Sequence, residues 1–179
     1  MFKGTSASAG IGIGKAVIVE EAELVITRNE VADAEAEIQR FKGALEKTIA
    51  ATQKMADDLA SRVGEKEAEI MQGHMMLLSD PMLTGEIENS VKNDKVNCEF
   101  AIENVCNMYA DMFASMGDEL MQQRATDMRD IKVRMQRTLM GLESVDVSLL
   151  PKGSILVAKD LTPSMTAGIN PENVSGIVT

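Results

Sequence analysis

Apolar positions in the middle of the chain recur at alternating steps of four and three residues, the spacing of a helix packed in a bundle. Lys132 is the one charged residue in these series. They are Ala34, Ile38, Phe41, Leu45, Thr48, Thr52, Met55 and Leu59; Cys98, Ile102, Val105, Tyr109, Met112 and Met116; and Met121, Ala125, Met128, Lys132, Met135 and Leu139. The spacing predicts an antiparallel bundle of four to five helices. We place these helices near residues 30–63, 65–80, 82–94, 97–117 and 118–141.

Helix-ending residues stand between the predicted helices. Gly64 and Gly141 can end the first and the last helix, because glycine accepts the left-handed conformation common after a helix. Asp80 followed by Pro81 can start a helix, with the aspartate as N-cap and the proline in the first turn.

Both ends of the chain have a different pattern, with short β-branched runs bounded by glycine and polar residues. The predicted strands cover residues 16–19, 24–26, 154–158 and 174–178, and residues 162–164 can cap a short helix. The shared pattern predicts an α+β, multi-domain chain. Its partial α/β domain, formed by residues 1–29 and 143–179, is interrupted by a helical domain of residues 30–142. The alternative is a bundle with loose ends.

The charge is concentrated in the helical region. The chain carries 18 basic and 28 acidic residues, a net charge of −10. Residues 31–123 hold 18 acidic and 8 basic residues, whereas residues 124–137 hold 2 and 5. Because nucleic-acid binding needs a basic surface, often with stacking rings, this acidic chain with 3% aromatic residues is a poor candidate for it. The acidic region either is a solvated face or attracts a basic partner.

Other motifs indicate no cofactor, metal or export signal. The segment with Gly10, Gly12 and Gly14 is not a dinucleotide-binding fingerprint, because Lys15 stands where the motif needs its third glycine and no helix is predicted to follow. Cys98 and Cys106 lie too far apart on one helix for a disulfide and lack metal-ligand spacing. No apolar run has the length of a signal peptide or a membrane span. We therefore predict buried thiols and a cytoplasmic protein without membrane contact.

The second predicted helix has more apolar surface than a surface helix needs. Its apolar residues, Ile70, Met71, Met75, Met76, Leu77 and Leu78, span roughly 260° of the helical wheel, against about 100° for contact with one core. Either neighbouring helices bury this surface or a partner does. Gly73, unfavourable in mid-helix, predicts close packing on that face. His74, the only histidine, has no second metal ligand or nucleophile beside it and is more typical of a structural residue.

Four motifs together resemble one family. Residues 4–16, 73–81, 124–131 and 158–164 resemble, in order and spacing, enzyme I of the bacterial phosphoenolpyruvate:sugar phosphotransferase system. The resemblance implies a swivelling phosphohistidine domain with an inserted helical domain that docks HPr, the small phosphocarrier protein. It also implies transfer of phosphoryl from phosphoenolpyruvate through a histidine to HPr for sugar uptake.

The resemblance also implies what lies elsewhere. The phosphorylated histidine is expected beyond Thr179, so this chain alone is expected to be inactive, with no cofactor of its own. Magnesium binding and homodimerisation are expected in a C-terminal barrel of the parent protein. Because the sheet is expected to be unfinished, residues 174–178 are predicted to be disordered or paired with another chain.

The site residues are carried over from the family by position. Thr166 matches a threonine near the active histidine. Lys66 stands where some members have an acidic residue. The implied HPr-docking residues are Glu65, Glu69, Ile70, Gly73, His74, Met76, Leu77, Phe113, Met116, Met121 and Arg124.

Two alternatives stay open from the sequence. One is a non-enzymatic helical adaptor, favoured by the repeat of apolar positions. The other is the phosphohistidine domain of a relative of pyruvate phosphate dikinase or phosphoenolpyruvate synthase, although the residues around His74 favour enzyme I.

Overall fold

A computed structural model describes residues 4–179, so residues 1–3 of the first predicted domain lie outside the described part. Five helices fill the middle of the chain, each within a few residues of its predicted range. They are α1 (Ala34–Arg62), α2 (Glu65–Leu78), α3 (Pro81–Asp94), α4 (Cys98–Ser115) and α5 (Glu119–Met140). The remaining elements are β1 (Lys15–Val19), a 3₁₀ turn (Val147–Leu149), β2 (Ser154–Ala158), α6 (Pro163–Gly168) and β3 (Val174–Val178).

Side-chain caps mark where α1 and α3 begin. Asp33 accepts a hydrogen bond from the Ala36 amide (3.0 Å), and Asp80 accepts one from the Met82 amide (2.8 Å). These carboxylates satisfy amides that have no partner inside the helix. Gly141 ends α5 in the left-handed conformation, with φ of 66°. The predicted helix boundaries at Asp80, Pro81 and Gly141 are confirmed.

The bundle core is mainly aliphatic, and its largest buried side chains include Phe41, Ile102, Met128 and Met135. Lys132 is half-buried, and its charge is compensated because the ammonium donates to Glu103 Oε1 and Asn107 Oδ1 on α4, each at 3.0 Å. A charged residue in the apolar series thus joins two helices by an ion pair.

Both cysteines are free and buried on α4, as predicted. Burial raises the pKa of Cys98 and of Cys106 to about 12. Neither thiol is therefore ionised to any extent at neutral pH.

The strands form one parallel sheet in the order β1-β2-β3. β1 pairs with β2 from Lys15↔Ser154 to Val19↔Ala158, so the whole bundle lies between two neighbouring strands. Val19, Val147, Leu150 and Leu156 form a second, smaller core at this sheet. The predicted fold class is confirmed, and the alternative of a bundle with loose ends is wrong.

Two strand predictions need correction. Residues 24–26 form no strand, because no neighbouring strand runs beside them; Val25 is exposed. Residues 174–178 are not disordered: they form β3, which pairs in parallel with β2 of the same chain, with one irregularity near Ser154.

The glycines before β1 have a structural role. A Cβ at Gly12 would lie 2.2 Å from the Ser175 carbonyl oxygen, and one at Gly14 would lie 2.0 Å from that of Gly153. The missing side chains let this segment pass against the backbone of two other segments. Close packing explains this run of glycines without a phosphate ligand.

Candidate functional site

The wide apolar surface of α2 is divided between the core and the exterior. Met71 and Leu78 are fully buried, and Met71 packs against Leu59 of α1. Ile70 and Met76 point the other way and keep 53% and 71% of their surface exposed. Because two large apolar side chains lie this exposed on one helix, α2 presents an apolar surface that its own chain leaves uncovered.

Gly73 lies where α2 approaches the beginning of α5. A Cβ at this position would lie 2.8 Å from Arg124 Nη1, so the guanidinium covers the glycine. The predicted close packing on Gly73 is confirmed, and the group that packs there is a cation. Arg124 is thereby held against the helix that carries Ile70 and Met76.

The remaining implied docking residues lie on α2, on or just after α4, and at the start of α5. Leu77 and Phe113 are half-buried against the bundle core, and the Phe113 ring lies 6.3 Å from that of Tyr109. Met121 is half-buried at the start of α5, and Met116 is exposed just after α4. Glu65 and Glu69 are exposed along α2. We call the group formed by the exposed residues Glu65, Glu69, Ile70, Met76 and Met116 and the half-buried Arg124 the α2 surface.

His74 differs from this group, because its side chain has no exposed surface. Its Nε2 lies 3.2 Å from Asp127 Oδ1, and its Nδ1 lies 3.8 Å from Asp130 Oδ2. Both carboxylates belong to α5. The expectation that this imidazole faces a partner is therefore corrected: in this conformation His74 joins α2 to α5 from inside.

Asp130 continues the connection from α5 to the sheet domain. Its Oδ2 accepts from the Ser164 amide and its Oδ1 from the Ser164 hydroxyl, both at 2.8 Å. Ser164 lies in the first turn of α6, which also carries Thr166. A carboxylate that receives both donors of one serine fixes the position of this short helix against the bundle.

Thr166 is exposed on α6, and its hydroxyl donates to the Thr162 carbonyl at 3.0 Å. Arg62 at the end of α1 holds the other end of α6, with Nη2 donating to the Ala167 carbonyl at 2.9 Å. Sequence analysis missed Arg62, Asp127, Asp130 and Ser164. For Asp130 alone the sequence held a signal of burial, because it precedes Ile131 and lies close to the inner positions of α5.

Neither a metal cluster nor a membrane span is visible in the described part of the chain. Residues 4–179 contain no group of three or more His, Cys, Asp or Glu side chains placed to hold a metal ion. None of the helices described is long and apolar enough to cross a membrane.

The fold defines a class of protein: a helical domain inserted between two parallel strands of an α/β unit. Two family descriptions match the chain, "PEP-utilising enzyme, N-terminal" over residues 3–124 and "PEP-utilising enzyme, mobile domain" over residues 150–179. The first covers more than half of the chain. The chain therefore belongs to the PEP-utilising enzyme family and corresponds to its N-terminal part.

Individual relatives agree with this assignment. The chain is 38% identical to the phosphoenolpyruvate-protein phosphotransferase of Bacillus subtilis and 40% identical to that of Listeria monocytogenes, over 99% of its own length in each case. It spans 31% of the length of each relative. A solution structure described as Enzyme I superposes with a TM-score of 0.89 at 36% identity, over 99% of this chain and 72% of that one. The resemblance to enzyme I is confirmed.

Proposed function

We propose that this chain provides the HPr-docking part of a phosphoenolpyruvate-protein phosphotransferase, and that the α2 surface is where HPr binds. Residues 30–142 form the docking domain in this proposal, and residues 1–29 and 143–179 belong to the phosphohistidine domain. The observation that carries it is the exposure of Ile70 and Met76 beside Arg124 on a helix whose opposite face is fully buried.

Apolar contact supplies the centre of the proposed interface. Ile70 and Met76 together offer large side chains that lose water contact when covered, and burial of such a side chain contributes about 1.5–3 kcal/mol. Methionine also adapts its shape to a partner more readily than branched side chains do. The centre of a transient interface typically has this composition, with charged residues around it.

Charge supplies the attraction around that centre. Glu65 and Glu69 are exposed on α2, within the region that carries the net negative charge of the chain. They match the basic surface expected around the phosphorylatable histidine of HPr, and opposite charge accelerates association. Arg124 is the exception, and its place over Gly73 suits it to meet an acidic group or a backbone carbonyl of the partner.

The transfer chemistry of the parent protein is proposed on the same basis. The names of the relatives and the family matches support phosphoryl transfer from phosphoenolpyruvate. Magnesium binding and dimerisation are proposed for other regions of the parent protein. Thr166, exposed on a helix that Asp130 and Arg62 hold in place, is proposed to lie beside the phosphorylated histidine. HPr is then docked at α2 while the phosphohistidine approaches from the sheet domain.

Met76→Ala tests the proposal at its most exposed apolar residue. We expect the variant to weaken HPr binding about tenfold or more, because the lost side chain contributes burial only in the complex. The measurement is a titration of the isotope-labelled chain with unlabelled HPr, followed at the amides of residues 65–80 and 113–124.

Met140→Ala is the matched control. Met140 is also an exposed methionine at 41%, but it lies at the far end of α5. We expect this variant to bind HPr like the unchanged chain. Equal affinity of the Met76 and Met140 variants, or amide shifts confined to other surfaces, would contradict the proposed docking site.

A further inference from the structure

Two segments of the chain connect the bundle to the sheet domain. Residues 20–33 run from β1 to α1, and residues 141–153 run from α5 back to β2. Both are mostly exposed, and apart from one 3₁₀ turn neither contains a helix or a strand. The first is fastened to the bundle where the Val31 amide donates to the Lys95 carbonyl at 2.9 Å. Because exposed irregular backbone bends more easily than a helix or strand, other contacts must fix the course of these segments.

Arg137 in the last turn of α5 contacts both connecting segments. Its Nη2 donates to the Ala22 carbonyl at 2.7 Å, and its Nη1 donates to the Glu143 carbonyl at 3.3 Å. Its Nε lies 3.3 Å from Glu21 Oε2, as an ion pair without the geometry of a hydrogen bond. The other carboxylate oxygen of Glu21 accepts from the Val145 amide at 3.3 Å. One guanidinium and one carboxylate thus join the outgoing segment to the returning one.

Burial makes this junction costly to open. Arg137 is only 5% exposed, and Glu21 is half-buried beside it. The planar guanidinium has N–H donors in several fixed directions, which lets it reach acceptors on two segments at once. If the segments moved apart, these donors would lose their acceptors without regaining full hydration. The contact therefore favours the present course of both segments.

The rest of the boundary between the domains is only partly packed. A cleft of about 550 Å³ separates the second half of α1 and part of α5 from residues 144–148 and α6. Asp130 and Arg62 hold α6, which belongs to the sheet domain itself. Arg137 differs from these two residues because it acts on the segments that lead to the sheet domain. A boundary with an open cleft depends on such polar contacts more than a closely packed one does.

We propose that Arg137 is a positioning residue that, together with Glu21, fixes the orientation of the sheet domain relative to the bundle. The consequence for phosphoryl transfer rests on the proposed function, in which this domain brings the phosphohistidine to HPr docked at the α2 surface. Arg137 lies about 20 Å along α5 from Arg124, at about 1.5 Å per residue. It therefore acts on the orientation of the domains and not on docking.

Residual dipolar couplings of the labelled chain measure this orientation, because two rigidly joined domains share one alignment tensor. In the unchanged chain we expect one tensor for α1–α5 and for β1–β3. Arg137→Lys keeps the charge, but a single ammonium cannot span both segments. In this variant we expect the alignment of the strands to fall below that of the helices, while the couplings within each domain still fit its own structure. Arg129→Lys changes an exposed arginine of the same helix and should keep the common tensor.

Glu21→Ala is the second variant, and it decides the test if Arg137→Lys does not fold. Glu21 is partly exposed in a connecting segment, so its truncation leaves the cores of both domains intact. We expect this variant also to lower the alignment of the strands. A purely structural role for Arg137 would lower the melting temperature and leave the common tensor. One common tensor in a folded Arg137→Lys, or in Glu21→Ala, would overturn the proposal.

Titration of the same variants with HPr separates this inference from the proposed docking site. Both variants should bind HPr like the unchanged chain, because the α2 surface is left intact. If HPr does not bind the unchanged chain, the docking site is contradicted while the measured orientation still decides the role of Arg137. Normal HPr binding together with one common tensor in the variants would overturn only the role of Arg137.

Discussion

Gly73 is the residue at which we expect helix stability and the proposed HPr docking to oppose each other. We predict that Gly73→Ala raises the free energy of unfolding by about 0.5–1 kcal/mol, because glycine in a helix interior is less favourable than alanine by roughly that amount. The new Cβ would displace the Arg124 guanidinium, which can move because it is the end of a flexible side chain. The same variant should therefore bind HPr more weakly. Urea unfolding and HPr titration measure the two effects.

Gly43→Ala separates the two effects. Gly43 also lies inside a helix, α1, and a Cβ there would meet nothing within 4 Å. This variant should gain similar stability and keep full HPr affinity. If both glycine variants bind HPr equally well, Arg124 has no part in docking.

For single residues, the sequence could indicate a role but seldom the residue in contact. Gly73 was enough to predict close packing, because a glycine inside a helix lowers its stability and is expected only where a larger side chain would not fit. That Arg124 supplies the packing depends on how α2 and α5 are aligned, and spacing within one helix does not determine this. His74 shows the same limit: its burial depends on Asp127 and Asp130, which reach it from another helix.

Among the elements, α6 is held by the hydrogen bonds between Asp130 and Ser164, and replacing Asp130 by asparagine alters them with little change in side-chain shape. We predict that Asp130→Asn lowers the free energy of unfolding by about 1.5–3 kcal/mol, since it weakens hydrogen bonds from Ser164 to a buried charged acceptor. The Ser164 amide should then exchange with deuterated solvent faster than in the unchanged chain. Exchange measured by NMR follows this amide and those of residues 165–168 directly.

Asp127→Asn is the comparison for that variant. Asp127 also contacts His74 from α5, but among the described residues no hydrogen bond joins it to α6. Exchange in α6 should therefore stay slow in Asp127→Asn. If both variants release α6 equally, the contact between α5 and α6 passes through His74 and not through Asp130 alone.

Elements were predictable where their own residues determine them. Asp80 and Pro81 set the start of α3 and Gly141 the end of α5, and the apolar repeat defined the inner face of α5. The prediction of a strand at residues 24–26 was wrong, because β-branched residues form a strand only beside a neighbouring strand. Here the Ala22 carbonyl, just before them, accepts a hydrogen bond from Arg137 instead. β3 was mispredicted for the opposite reason: the parallel edge of β2 was available within the same chain.

Over the whole molecule, the net charge of −10 should give folding and the proposed HPr docking opposite responses to salt. We predict that added sodium chloride raises the melting temperature, because it screens repulsion among the acidic residues of the bundle. The same salt should weaken HPr binding, mainly by slowing association, because it also screens attraction to a basic partner. Thermal unfolding and stopped-flow association over one salt series measure both. Sucrose in place of salt controls for general solvent effects, and an association rate that does not change with salt would show that the acidic face plays no part in attracting HPr.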